Sequence, residues 1–351
     1  MNFKTTSIKE VIGFLIIVIG LGIVNISAQK IEKSSKVGVG LYEIVYNEKD
    51  NLVYVAGVGG RGANDSAKIY KLDPQTLEVK GTIDVNVAPA FGLGLNTKTQ
   101  TLYTSNTRSN SVHAIDLKSG KIIATINHGK DKSHTREIVV DEETNKIYVS
   151  NMTDVWVIDG KTNKFSHLIE GTGEGSTGLA LDQKSQKLYV TNMSKDQISV
   201  VDLKTNKIVS TFASGGKGPI NAYFDEKGKR LFVANQGDGG ITVLDPAGKL
   251  LQTVKTGAGA LGVNYNPVKN LIYVANRQAG TTSVIDGKTY KILADLKTGT
   301  FPQTIAIDKK SGRVFVTNKG QGRRRPTNGE TPSNEPPAED PNGDVVNILV
   351  P

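Results

Sequence analysis

The chain has 351 residues, a net charge of +9 at neutral pH, 38 glycines and no cysteine, so disulfides, thiol chemistry and cysteine-ligated metals are excluded. Its four histidines, His113, His128, His134 and His167, share no ligand spacing on one strand or helix. No metal site and no cofactor are expected.

At the N-terminus, Lys4 and Lys9 precede an uncharged apolar run at 11–24, and Ile26-Ser27-Ala28 ends in a small residue. This order predicts a signal peptide over residues 1–28, cut after Ala28, against the alternative of an uncleaved anchor. The run is shorter than the roughly 20 residues that span a bilayer comfortably, and no stable membrane insertion is expected after cleavage. The mature chain is then periplasmic or secreted.

From residue 29 onward one phrase returns seven times: Tyr54-Val55-Ala56-Gly57, Tyr103-Thr104-Ser105-Asn106, Tyr148-Val149-Ser150-Asn151, Tyr189-Val190-Thr191-Asn192, Phe232-Val233-Ala234-Asn235, Tyr273-Val274-Ala275-Asn276 and Phe315-Val316-Thr317-Asn318. Each copy sits in a four-beat pattern, clearest where Gly178-Leu179-Ala180-Leu181-Asp182, Leu188-Tyr189-Val190-Thr191-Asn192, Ile198-Ser199-Val200-Val201-Asp202 and Lys207-Ile208-Val209-Ser210-Thr211-Phe212 follow one another. Asp and Asn at the junctions suit tight turns, because their side chains bond the local backbone and tolerate positive φ. Four strands, A to D, repeated at this period predict an all-β, seven-bladed β-propeller with four antiparallel strands per blade.

The last repeat has strands A, B and C and then ends. Residues 30–47 align without a gap on 249–266, a strand D running into a strand A. The N-terminal strand is therefore expected to complete blade seven and close the ring, making 29–351 one propeller. An insertion at 320–343 holds five of the twelve prolines and runs from Arg323-Arg324-Arg325 to Glu330, Glu335, Glu339 and Asp340. It is expected to be disordered.

The seven copies of the Tyr-Val-Thr-Asn type resemble the YVTN-repeat β-propeller family, and within it the YncE-like bacterial extracytoplasmic proteins. The likeness is most specific at Pro89-Ala90-Phe91-Gly92-Leu93, at Thr135-Arg136-Glu137-Ile138-Val139-Val140-Asp141 and at Val155-Trp156-Val157-Ile158-Asp159-Gly160. The resemblance implies a secreted, non-catalytic propeller, with DNA binding as the associated activity. Two departures are the insertion at 320–343 and Gly57 in place of Asn. A WD-repeat reading fails, since the one tryptophan, Trp156, is followed by Val157.

In such a ring the D–A and B–C loops share the face at the channel mouth, while the A–B and C–D turns share the other. Of nine arginines, Arg61, Arg108, Arg277, Arg323, Arg324 and Arg325 fall in B–C loops and Arg136 in a D–A loop; only Arg230 and Arg313 fall in A–B turns. Guanidinium forks match phosphate and carboxylate geometry. The candidate ligand-binding residues are Arg61, Arg108, Arg136, Arg277, Lys319 and Arg323, with Tyr42 and Phe91 placed to stack on bases and Phe301 near them. Aspartates ending strands A and C read as turn residues. Glu43, Glu137 and Glu174, near strand A starts, are the candidates for acid–base chemistry or cation binding, with Glu137 expected to pair with Arg136 or another arginine. The glycine-rich stretch at 235–240 lacks the helix N-terminus of a phosphate cradle.

The expected function is a non-enzymatic extracytoplasmic binding protein with an arginine-rich channel mouth, its partner nucleic acid or another polyanion. The alternatives are a propeller enzyme of lactonase or quinoprotein-dehydrogenase type, and an envelope module that binds a protein or polysaccharide.

Overall fold

Burial on both faces explains why the repeated phrase has no polar alternation. In the computed structural model, which describes residues 29–60, 66–129, 134–321 and 339–350, the phrase is the second strand of each of seven four-stranded antiparallel sheets. Blade four shows the plan: Ser176–Asp182, Lys187–Asn192, Gln197–Asp202 and Lys207–Ala213 lie side by side in chain order. The inner strands are nearly continuously buried, and the outermost is exposed or half-buried throughout, as the wet edge of a sheet must be.

The seven first strands are Leu41–Asn47, Gly92–Asn96, Thr135–Asp141, Ser176–Asp182, Pro219–Asp225, Ala260–Asn266 and Pro302–Ile307. Each packs against the first strands of both neighbours, and the seventh against the first. That circuit is a closed ring around a channel. Between blades the core is made by the ring that opens each phrase: Tyr103 packs with Ile147 and Val149 of the next blade, Tyr148 with Leu188 and Val190, Tyr189 with Leu231 and Val233, and Phe232 with Ile272 and Val274. Phe315 of blade seven does the same with Val53 and Val55 of blade one. Burying one such side chain is worth about 1.5–3 kcal/mol.

The ring closes through the chain ends. Lys30–Lys36 pairs antiparallel with Val345–Val350, Lys30 opposite Val350 and Lys36 opposite Val345, as the alignment predicts. Turn chemistry also follows the sequence: Asp202 Oδ1 accepts the N–H groups of Lys204 and Thr205 at 2.9 and 3.0 Å, and Asp141, Asp225 and Asp286 act alike. The residue that re-enters strand B takes positive φ in every blade, as Asn51, Gln100, Asn145, Gln186, Lys229, Asn270 and Gly312.

The asparagine that ends the phrase is buried and ties three segments together. Asn276 Nδ2 donates to Ser283 Oγ at 2.8 Å while its Oδ1 accepts from Thr256 Oγ1 at 2.7 Å, joining strand B to strand C and to the D–A loop at the mouth. Blade one departs for a steric reason: a Cβ at Gly57 would lie 2.8 Å from the Tyr70 ring. The signal-peptide reading at 1–28 and the disorder reading at 322–338 fall outside the described residues. The ends of the insertion are tied down, with Asp340 accepting from Thr300 Oγ1 at 3.0 Å and from Gln321 N at 3.1 Å.

Deleting residues 29–36 leaves the edge of Val345–Val350 unpaired. The truncated protein is expected to lose its single cooperative thermal transition, followed by circular dichroism; a melt matching that of residues 29–351 contradicts the closure.

Candidate functional site

A break in strand alternation builds the site. In six blades the first strand opens with a register shift against its neighbour, between Leu41 and Ile44, Thr135 and Ile138, Ser176 and Leu179, Pro219 and Asn221, Ala260 and Gly262, and Pro302 and Ile305. A β-bulge sets two residues against one and re-aims their side chains. Consecutive residues therefore line one pocket at the channel mouth: Tyr42 with Glu43, Arg136 with Glu137, Ile220 with Asn221, and Gln303 with Thr304. Phe91, Gly92, Thr177, Leu261 and Arg277 complete the lining of a space of about 580 Å³ that opens to solvent.

Where the third residue of the preceding phrase is serine or threonine, it fixes the bulge. Ser105 Oγ donates to the Arg136 carbonyl at 2.5 Å, Ser150 Oγ to that of Thr177 at 2.6 Å, and Thr317 Oγ1 to that of Tyr42 at 2.6 Å. Each clasp runs from one blade to the next. The close approach also requires Gly92, where a Cβ would lie 2.2 Å from the Arg136 oxygen.

Cations and rings interleave at the rim. The Arg277 guanidinium lies 5.4 Å above the Phe301 ring and that of Arg108 5.2 Å above Phe91, which meets Tyr42 edge-on at 4.9 Å. Lys319 Nζ donates to the Tyr42 hydroxyl at 2.5 Å and stands 4.2 Å from its ring centre. Burial pushes the Tyr42 pKa up, but the Lys319 hydrogen bond and the charges of Lys319, Arg277 and Arg136 outweigh it and hold the phenol below its ordinary value. Burial, reinforced by Arg136, likewise lowers Arg277.

The described arginines divide by partner. Arg230 bonds Asp225 through two nitrogens, at 2.7 and 3.1 Å, and Arg313 reaches Glu32 at 3.3 Å. Among the described residues no carboxylate lies within ion-pair distance of Arg108, Arg136 or Arg277.

Glu43 and Glu137 form the floor. They, with Asn221 and Thr304, also line the open cavity that continues the channel below. Burial raises the Glu43 carboxyl to about 7, against the stabilising hydrogen bonds of Thr304 and of the Ile44 N–H. Burial, then the charge of Glu43, lifts Glu137 well above the carboxylate range, against Arg136 and Asn221. Glu137 makes no ion pair among the described residues, contrary to the sequence expectation. Its partner is Asn221, whose Nδ2 donates at 3.2 Å, because the bulge turns Arg136 and Glu137 side by side into the pocket without bringing them into contact. Glu174 is exposed and stands outside the pocket.

Of the sequence candidates, Tyr42, Phe91, Arg136 and Arg277 line the pocket, and Arg108 and Lys319 stack on its rings. Arg61 and Arg323 lie outside the described residues. Arg136 and Tyr42 belong to bulged strands rather than to loops. The glycine-rich stretch is no cradle, since the N–H groups of Gly237 and Gly239 are spent on Lys217 and Asn235 carbonyls. Thr177, Asn221, Gln303 and Thr304 went unread in the sequence; for Thr177 and Asn221 the signal is Ser150 or Thr191 at the third place of the preceding phrase, whereas the phrase before Gln303 and Thr304 has Ala275 there.

Glu43 binds its proton more tightly in the folded chain than in the unfolded one, so its contribution lowers stability as pH rises from about 4.5 to about 7. Glu43→Gln is expected to remove part of that loss: its melting temperature should exceed that of the wild type at pH 8 and approach it at pH 5. Equal gains at both pH values contradict the raised carboxyl.

With this geometry in place, the likeness to known proteins is specific. The YNCE-like beta-propeller profile matches residues 138–325. YncE of Salmonella typhi is 36% identical over 302 residues, covering 82% of this chain and 85% of that protein. YncE of Escherichia coli K12 is 37% identical over 175 residues, 47% of this chain and 49% of that one. A chain of Kuenenia stuttgartiensis hydrazine synthase superposes with a TM-score of 0.68 over 81% of this chain and 94% of its own length; at 14% identity it shares the fold alone. By profile, by identity and by architecture, the chain belongs to the YncE-like β-propeller family.

Proposed function

We propose that this protein is a non-enzymatic binding propeller, exported from the cytoplasm, whose channel mouth receives the anionic groups of its ligand. One observation carries the reading: Arg108, Arg136 and Arg277 have no carboxylate partner among the described residues, whereas Arg230 and Arg313 on the opposite turns are paired. Burial acts on Arg277 above all; a desolvated guanidinium without a counter-ion is costly, and an incoming anion relieves that cost. DNA is the polyanion we favour, with single strands preferred because the rings beside the arginines suit stacking on unpaired bases. Export rests on the charged, apolar and small-residue order of residues 1–28. No helix among the described residues is long and apolar enough to cross a membrane.

A second reading, an enzyme, draws on a different feature. Tyr42 is lowered while Glu43 and Glu137 are raised within one pocket, the opposed tuning that acid–base pairs use. Turnover that Glu137→Gln abolishes would favour it.

Binding of a single-stranded oligonucleotide at several salt concentrations tests the anion reading. Each phosphate neutralised on a single strand contributes about 0.7 to the slope of log affinity against log salt. Arg136→Ala with Arg277→Ala is expected to weaken binding and flatten that slope, whereas Lys98→Ala with Lys184→Ala on the opposite turns leaves both near wild type. Equal losses in the two double variants overturn the proposal.

A further inference from the structure

The pocket carries a like-charged pair at each depth. Arg136 and Arg277 line the mouth and not the cavity beneath, while Glu43 and Glu137 are shared with it. The same pocket has apolar lining, Ile220 and Leu261 with the rings of Tyr42 and Phe91. Neither pair makes an ion pair among the described residues. The glutamates meet only neutral donors, the Asn221 amide at 3.2 Å from Glu137 and the Ile44 N–H at 3.2 Å from Glu43, and the two arginines meet no carboxylate at ion-pair distance.

A ligand that is only an anion satisfies the upper pair and leaves the lower pair buried without a counter-ion, holding its protons. A ligand that is only a cation does the reverse. We infer that the group recognised here is dipolar, an amine-bearing carboxylate or phosphate whose anionic head sits between Arg136 and Arg277 and whose ammonium end sits on Glu43 and Glu137, with a short aliphatic stretch against Ile220 and Leu261. This rests on the anion reading above and adds to it the second half of the ligand. Burial without a counter-ion holds Glu43 near pH 7, so the floor accepts an ammonium better once that carboxyl has lost its proton. Binding of the dipolar ligand is therefore linked to proton release, whereas binding of a plain anion is not.

The test is calorimetric titration of the mature propeller with ω-amino acids from 4-aminobutanoate to 8-aminooctanoate, each beside the unbranched alkanoate of the same length. At pH 8 at least one amino member is expected to bind about tenfold or more tightly than its alkanoate. That advantage shrinks at pH 6 and vanishes in Glu43→Gln with Glu137→Gln, while alkanoate affinity is kept. Glu43→Gln alone serves the same purpose if the double variant fails to melt cooperatively. Alkanoates that bind while no amino member exceeds them overturn the dipolar ligand and leave the anion reading standing, and so does an advantage that survives in the glutamine variants. Failure of the alkanoates and of the oligonucleotide alike overturns the anion reading and this inference with it.

Discussion

Everything in this molecule depends on one aromatic ring per blade wedged into the next blade. A four-stranded sheet of this size has two apolar faces and no way to bury them alone. The Tyr or Phe that opens each phrase, fully buried in all seven copies, fills the gap to its neighbour's second strand. The contact runs in one direction around the circle, so the packing is complete only when blade seven meets blade one, through Phe315 with Val53 and Val55. That closure in turn requires the N-terminal strand to pair with the last one. The cooperativity of the ring and the position of its two chain ends are the same fact.

The site is a by-product of the same repeat, bent to another use. Serine or threonine at the third place of the phrase reaches across to a main-chain oxygen of the next blade. That bond holds a bulge open at the strand start, and the bulge lets neighbours in sequence share a pocket wall. Arg136 and Glu137 thus come to line one pocket without making an ion pair. The local rule of alternation is broken where charge is needed, which is the usual place for such a break.

The sequence made the ring, the blade number, the closing strand and the turn aspartates legible because those features repeat, and seven copies of a weak signal make a strong one. Tyr42, Phe91, Arg136 and Arg277 were legible because loop order alone puts them at the mouth. The floor was not. Glu43 and Glu137 lie in different blades, and strict alternation would turn one member of each Tyr42–Glu43 and Arg136–Glu137 couple away from the channel. Only the register shifts between Leu41 and Ile44 and between Thr135 and Ile138 bring both inward, and the residues that clasp those two bulges, Thr317 and Ser105, sit in the preceding blade. The expected pairing of Glu137 with an arginine failed for the same reason: nearness in sequence says little about direction across a bulge.

The central claim is that the arginines without carboxylate partners are the ones a ligand engages. Side-chain Nε–Hε resonances of the arginines, followed by NMR while a short single-stranded oligonucleotide is added, test it residue by residue. The account predicts that Arg136 and Arg277 shift and broaden while Arg230 and Arg313, already held by Asp225 and Glu32, stay in place. Uniform movement of all four, or movement of Arg230 and Arg313 alone, contradicts it.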